Sequence, residues 1–337
     1  MSTPPFDRVV IVGLGLIGGS LAHVLAPHMR VVGVDADAAT CKAARRDGIE
    51  VVADVRDAAG SGALVVVAVP VPYVAEVFAH LAGCEVQLVT DVASVKQPVV
   101  DAARQASLRF VGGHPMAGRE LSGYGAASDS LFSGARWALC LDAGARVRDA
   151  LDIAAVVLAT GASVVPTVAA EHDRTVAIVS HLPHVLAAVL ASAAGDASTR
   201  DLAFGLAAGS FRDGTRVARS PADFWAGISV ENAANLAGIV RDSGAAFLQL
   251  ADALEADDRA GVAAFFARGV QGRIEFERRT ALPTTLTIDN ADIERDDGSV
   301  RDTLLALGRR GGYVTHIEQS ADAMMLRARV PEAAVGQ

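Results

Sequence analysis

The chain of 337 residues, 51% hydrophobic and 20% charged, has length for two domains and a substantial core, which excludes a disordered chain. Its formal net charge of -9 opposes nucleic acid and anionic membrane surfaces, so neither is an expected partner, and an anionic substrate has to be captured by a few local cations. Cys41, Cys84 and Cys140 are scattered without a CxxC pair, which excludes a disulfide scaffold and fits a reducing compartment. The first residues lack a basic stretch followed by an apolar one, and runs such as 185–194 fall short of the roughly 20 residues that cross a bilayer, so a cytoplasmic protein is expected.

From Arg8 to about Pro166, β-branched runs alternate with helical stretches, the pattern of a parallel sheet covered on both faces. The spacing predicts strands at 9–12, 31–35, 64–69, 86–91 and 110–113, then strands at 137–141 and 163–166 flanking a helix over 147–159. The first strand runs into Gly13-Leu14-Gly15-Leu16-Ile17-Gly18, which opens a helix, the context in which a GxGxxG motif binds a dinucleotide. The first glycine makes the turn, the second admits the pyrophosphate and the third packs helix on strand, while helix N-terminal amides face the phosphates. Asp35, at the end of the second strand, is placed to accept hydrogen bonds from an adenosine ribose and to repel a 2′-phosphate, and no arginine follows it directly. NAD is therefore the expected cofactor, with NADP disfavoured.

Two further predicted strands end in turns that carry chemistry, Thr90-Asp91-Val92-Ala93-Ser94 and Gly112-Gly113-His114-Pro115. Ligands of open α/β sheets bind at such carboxyl ends. His114 reads as a loop histidine between a flexible glycine pair and a stiff proline, which presents its imidazole in a defined direction. Ser94 is either a functional hydroxyl or the N-cap of the helix that follows.

After Pro166 the period changes to helical, with helices predicted at 168–194, 202–208 and 223–279. The expected division is a Rossmann-type doubly wound domain over 1–166, an all-α domain over 167–281 and a small mixed appendage over 282–337. Long apolar helices outside a sheet need partners, so a homodimer formed through the helical domain is expected. In the appendage the pattern suggests a strand at 286–288, a helix at 303–310 and strands at 313–317 and 324–329. His181 and His184, with Glu171 or His172 nearby, invite a metal reading, but Pro183 breaks their spacing and no HExxH completes a site, so no metal is expected.

Taken in order, the glycine fingerprint, Asp91-Val-Ala-Ser-Val-Lys96, His114-Pro-Met-Ala-Gly, Ser180-His-Leu-Pro-His184 and Arg212-Asp-Gly-Thr-Arg216 resemble the prephenate and arogenate dehydrogenase family of tyrosine biosynthesis, over about residues 7–280. The resemblance implies an NAD-dependent oxidative decarboxylation of a cyclohexadiene. It assigns His114 as acceptor of the substrate hydroxyl proton and Ser94 as the residue that positions it. Arg216 matches the guanidinium that clamps the ring carboxylate, and Asp213 the residue that steers it. Gly209 and Trp225 match pocket-lining positions, Ser180 and His184 positions near the substrate side chain, and Glu120 a residue that contacts the substrate-binding arginine. Read without the family, Arg212, Arg216 and Arg219 form a solvated basic turn, Trp225 a core anchor and Glu120 an exposed ion-pair partner.

The chain departs from the family at two places. The appendage lacks the Asp-x-Pro-Gly turn of the ACT domain that ends regulated members, so it resembles at most a degenerate one, and Arg119 stands where a small hydroxyl residue is common. The expected activity is conversion of prephenate to 4-hydroxyphenylpyruvate, with arogenate to tyrosine as the alternative. A β-hydroxyacid dehydrogenase is a more distant enzyme reading, and its second-domain lysine has no counterpart, because Lys42 and Lys96 both fall in the first domain. A non-catalytic NAD-sensing protein stays open.

Overall fold

The computed structural model describes residues 5–119, 121–296, 298–320 and 322–332. The chain divides into two compact units, one built from Met1–His172 and Leu282–Val330 and the other centred on Asp173–Ala281.

The first unit opens with β1 (Arg8–Val12), α1 (Leu16–Leu25), β2 (Arg30–Val34), α2 (Ala38–Arg46), β3 (Glu50–Val52) and α3 (Val55–Ala58). It continues through β4 (Ala63–Val67), α4 (Val71–Leu81), β5 (Leu88–Asp91), α5 (Gln97–Gln105) and β6 (Phe110–Pro115). These six strands lie in the order β3-β2-β1-β4-β5-β6 and every neighbouring pair is parallel, the doubly wound arrangement expected from the sequence. Val9, Val10, Ile11, Val65 and Val89 are buried because strands covered on both faces have no solvent side. Phe78 and Leu81 of α4 and Val99 of α5 close one face of that core.

Beyond β6 the sheet continues with β7 (Arg136–Cys140), antiparallel to β6, and after α6 (Val147–Ala159) with β8 (Ser163–Thr167), parallel to β7. His114 pairs with Ala138 in the β6–β7 ladder. The histidine expected in a loop is therefore a strand residue, and the antiparallel partner, invisible to a period count, is the reason.

The chain enters the second unit within α7 (Ala169–Val176), at Asp173, and continues through a π-helical turn at Ala177–His181, α8 (Leu182–Gly195), α9 (Arg200–Leu206) and α10 (Gly209–Thr215). A 3₁₀ turn at Arg216–Arg219 leads to α11 (Ala222–Glu231), α12 (Ala233–Glu255) and α13 (Arg259–Glu277). The helix expected over 223–279 is thus three helices, broken at Asn232 and at Asp257, whose φ of 50° lies in the left-handed region. Ala169–Gly195 forms 27 continuous helical residues, close to the helix expected over 168–194, and contains an 18-residue stretch with a mean hydropathy of 1.8, long and apolar enough to cross a bilayer, where a shorter apolar run was expected. Only 22% of that stretch is buried, although His172 and Asp173 near the start of the helix are buried.

The C-terminal segment, β9 (Ala281–Asp289), α14 (Asn290–Arg295), α15 (Ser299–Arg309), β10 (Tyr313–Gln319) and β11 (Ala323–Pro331), belongs to the first unit apart from its end residues. β10 joins β8 antiparallel at Val314 and Val164, so the sheet runs on as β8-β10-β11-β9 to eleven strands. Leu304, Leu305 and Leu307 of α15 are buried, and Gly308 passes so close to β8 that a Cβ there would stand 1.8 Å from the Pro166 carbonyl oxygen.

Candidate functional site

At the switch between β1 and β4, Gly13 turns the chain with φ +95°, and a side chain there would press on the Ala68 carbonyl oxygen at 2.7 Å. A Cβ on Gly18 would stand 1.9 Å from the Gly13 carbonyl oxygen, so loop and helix can close only with glycine at both positions. Gly15, the N-cap of α1, has nothing within 4 Å of its Cβ direction and leaves the helix N-terminus open to an anion. Leu14 is buried against Gly33 of β2, while Leu16 and Ile17 start α1 half-buried. The Asp35 carboxylate accepts the Leu14 N–H at 2.6 Å and the Asp37 N–H at 2.8 Å. It is thereby fixed beside the glycine loop, and each oxygen keeps a lone pair for a ligand hydroxyl.

Next along the sheet, Asp91 ends β5 and Lys96 caps α5, and both side chains are fully buried and ion-paired. Two further bonds of the pair meet on Gly113. Asp91 Oδ1 accepts the Gly113 N–H at 3.0 Å, Lys96 Nζ donates to the Gly113 carbonyl at 2.8 Å, and the Ala93 N–H supports Asp91 Oδ2 at 2.9 Å. A buried ion pair is tolerated when such bonds satisfy its lone pairs and protons. Here they clamp the peptide groups on both sides of Gly113, where a Cβ would collide with the Asp91 carbonyl oxygen at 2.6 Å. The clamp fixes the backbone that carries His114.

His114 itself is 8% exposed, and its Nδ1 lies 2.8 Å from Nε2 of His172, which is 4% exposed. The rings meet edge to face at 72°. The sequence offered no signal for this pairing, because the residues are 58 positions apart and His172 had entered only as a discarded metal ligand. Ser94 is half-buried in the turn between β5 and α5, and since Lys96 is the N-cap of α5, Ser94 does not cap that helix. The described residues hold no group of three or more His, Cys, Asp or Glu side chains arranged for a metal.

In the second unit, Ser180 and His181 lie in the π-helical turn that precedes Pro183, in the first turn of α8. Such a bulge absorbs the backbone bond that a proline cannot make. His184 Nδ1 donates to the Ser180 carbonyl at 2.8 Å, which leaves Nε2 as its basic nitrogen. Burial, joined by the nearby Arg216 charge, holds the His184 pKa below its ordinary value, which favours the neutral ring. Its face stacks on Trp225 with ring centroids 3.4 Å apart, and Trp225 Nε1 is buried without a hydrogen-bond acceptor among the described residues. Asn232, at the break between α11 and α12, donates to the Asp173 carbonyl at 2.8 Å and lies 3.2 Å from His181 Nδ1, a buried polar tie that sequence reading missed. Gly209 opens α10, Asp213 is exposed on it, and Arg216 starts the following 3₁₀ turn with an exposed side chain, as do Arg212 and Arg219 near it. Glu120 lies outside the described residues.

Comparison with known proteins places these features in a family. The family model for the prephenate dehydrogenase nucleotide-binding domain matches residues 22–173, and that for the prephenate dehydrogenase dimerization domain matches residues 168–268. The glycine loop precedes the first match, so its assignment rests on its own geometry. A prephenate dehydrogenase of Bacillus subtilis is 35% identical over 240 residues, which are 67% of this chain and 64% of that protein, so the match spans less than two thirds of its length. The crystal structure of prephenate dehydrogenase from A. aeolicus in complex with hydroxyphenyl propionate and NAD+ is 28% identical with a TM-score of 0.73, covering 80% of this chain and 98% of that one. Synechocystis arogenate dehydrogenase is 26% identical with a TM-score of 0.67, covering 80% and 99%. On these matches, together with a doubly wound sheet followed by a helical unit, the chain belongs to the prephenate dehydrogenase family.

Proposed function

We propose that the protein is an NAD-dependent dehydrogenase that converts prephenate to 4-hydroxyphenylpyruvate, with arogenate as the alternative substrate. The observation that carries the reading is His114, a buried histidine with a braced backbone and a hydrogen-bonded Nδ1, on the strand next to a turn bearing a serine, in a sheet that opens with a dinucleotide loop. The open helix N-terminus at Gly15 and the Asp35 carboxylate beside it fit the pyrophosphate and ribose of NAD. When bound, the cofactor supplies a hydride acceptor.

In this reading His114 takes the ring hydroxyl proton at Nε2 while hydride leaves the carbinol carbon. The bond to the ring carboxylate then breaks, its electron pair enters the ring and carbon dioxide departs. His114 returns the proton to the new phenolate oxygen, so the cycle releases no net proton. Ser94 orients the hydroxyl and His114, Arg216 holds the ring carboxylate in its guanidinium fork with Asp213 and Glu120 as its steering partners, and Gly209, Trp225, Ser180 and His184 line the substrate's place.

We also assign the protein to the cytoplasm and to a homodimer through its helical unit. Support for the dimer comes from the dimerization-domain match and from apolar side chains that this unit leaves in water, among them Leu206 at 73% and Leu248 at 68% exposure. The deciding experiment follows reduced nicotinamide by absorbance with prephenate and arogenate in parallel. Turnover of either establishes the reaction class and the ratio gives the preference, whereas NAD binding without turnover of either leaves the sensor reading in its place.

A further inference from the structure

We propose that His172 is a positioning residue that fixes the tautomer of His114, an inference that rests on the reading of His114 as the proton acceptor. The two imidazoles share one hydrogen bond, from Nδ1 of one to Nε2 of the other at 2.8 Å, and only one of these nitrogens carries the proton. If His172 donated, the neutral His114 ring would hold its own proton on Nε2 and have no basic nitrogen for the substrate. Once His114 became an imidazolium, it would also point a second N–H at the N–H of His172. Both rings are buried, so two N–H groups facing each other at that distance would be costly. The reverse arrangement survives the whole cycle. His114 donates from Nδ1, Nε2 keeps its lone pair until it takes the hydroxyl proton, and His172 Nε2 accepts the same hydrogen bond before and after.

The residues next to this pair in the chain and in the sheet make contacts of their own. Asp91 and Lys96 are ion-paired, and further bonds of the pair hold the peptide groups of Gly113 and Ala93. The β7 residues opposite His114 and Gly113, Ala138 and Leu139, carry no charge. Asp173 follows His172 in the chain and is buried, and the carbonyl of Asp173 accepts from Asn232, which anchors the helix just past His172. Glu171 on the other side is engaged by Arg309 at 3.0 Å. Each neighbour of His172 in the chain is thus held by a contact of its own.

The test uses the full-length protein labelled with ¹⁵N-histidine, with the His114 signals identified by their loss in His114→Asn. The nitrogen shifts of the wild type are expected to report Nδ1–H for His114 near pH 7, and a dominant Nε2–H form overturns the proposal. In steady-state kinetics, His172→Leu, which removes the acceptor, is expected to lower kcat about 100-fold with KM for both substrates within about twofold of wild type. His172→Gln, whose amide oxygen can replace the acceptor, is expected to recover part of that loss, and an unchanged kcat in His172→Leu overturns the proposal. A wild-type protein that turns over neither prephenate nor arogenate defeats the functional reading instead, and the tautomer is still read directly from its spectrum.

Discussion

His114, Arg216 and Asp35 each make a claim that one substitution can test. His114→Asn is expected to lower kcat by roughly 10²- to 10⁴-fold while a titration of NAD binding stays near wild type, because the ring is removed from proton transfer and not from the cofactor. Because only the neutral ring accepts the proton, the wild-type rate should also fall on the acid side of its pH profile. Arg216→Ala is expected to lower kcat/KM at least about 100-fold, from two charge-assisted hydrogen bonds at about 1.5 to 3 kcal/mol each, and Arg216→Lys should recover only part because an ammonium lacks the fork. Arg212→Ala and Arg219→Ala are the controls, and equal losses in all three would mean a diffuse basic patch. Asp35→Ser should weaken NAD use and relax exclusion of NADP, measured as the ratio of kcat/KM for the two cofactors. The glycine loop and Asp35 were legible in the sequence because one strand and one turn bring them together. The partnership of His114 with His172 was not, since it depends on how two distant segments pack.

At the level of elements, β5, the turn after it and β6 act together through the buried ion pair. Lys96→Met would strand the Asp91 charge and the Gly113 carbonyl in the core, and is expected to cost about 3 to 5 kcal/mol in denaturant unfolding. Asp91→Asn combined with Lys96→Met should recover part of this, since no lone charge then remains. The parallel strands were readable from their β-branched runs, with ends shifted by one to two residues. β3 was not, being three residues long and partly exposed. The end of β6 was missed for a different reason, because Pro115 looks like a loop former until β7 is seen to pair with it. In the helical unit the Asn232 break was hidden because asparagine is an ordinary helix-surface residue until its side chain bonds a distant carbonyl.

On the scale of the whole molecule, the sequence pattern marked off residues 282–337 as an appendage, whereas β10 extends the first unit's sheet and α15 packs on β8. A chain ending at Ala281 is therefore expected to bare the edge of β8 and lose the burial of Leu304, Leu305 and Leu307, seen as a lower Tm and a loss of the Arg309 contact to Glu171 beside His172. Only the spatial pairing of Val164 with Val314 reveals this, and no local period encodes a pairing across the entire helical unit. The same pairing has a consequence for synthesis. As the chain leaves the ribosome, β8 must wait with an open edge while every residue of the helical unit is made, so the sheet is sealed only when nearly the whole polypeptide has emerged. Closing so long a loop is slow, and the nascent chain carries an unpaired strand edge as a site for mispairing until translation is almost finished.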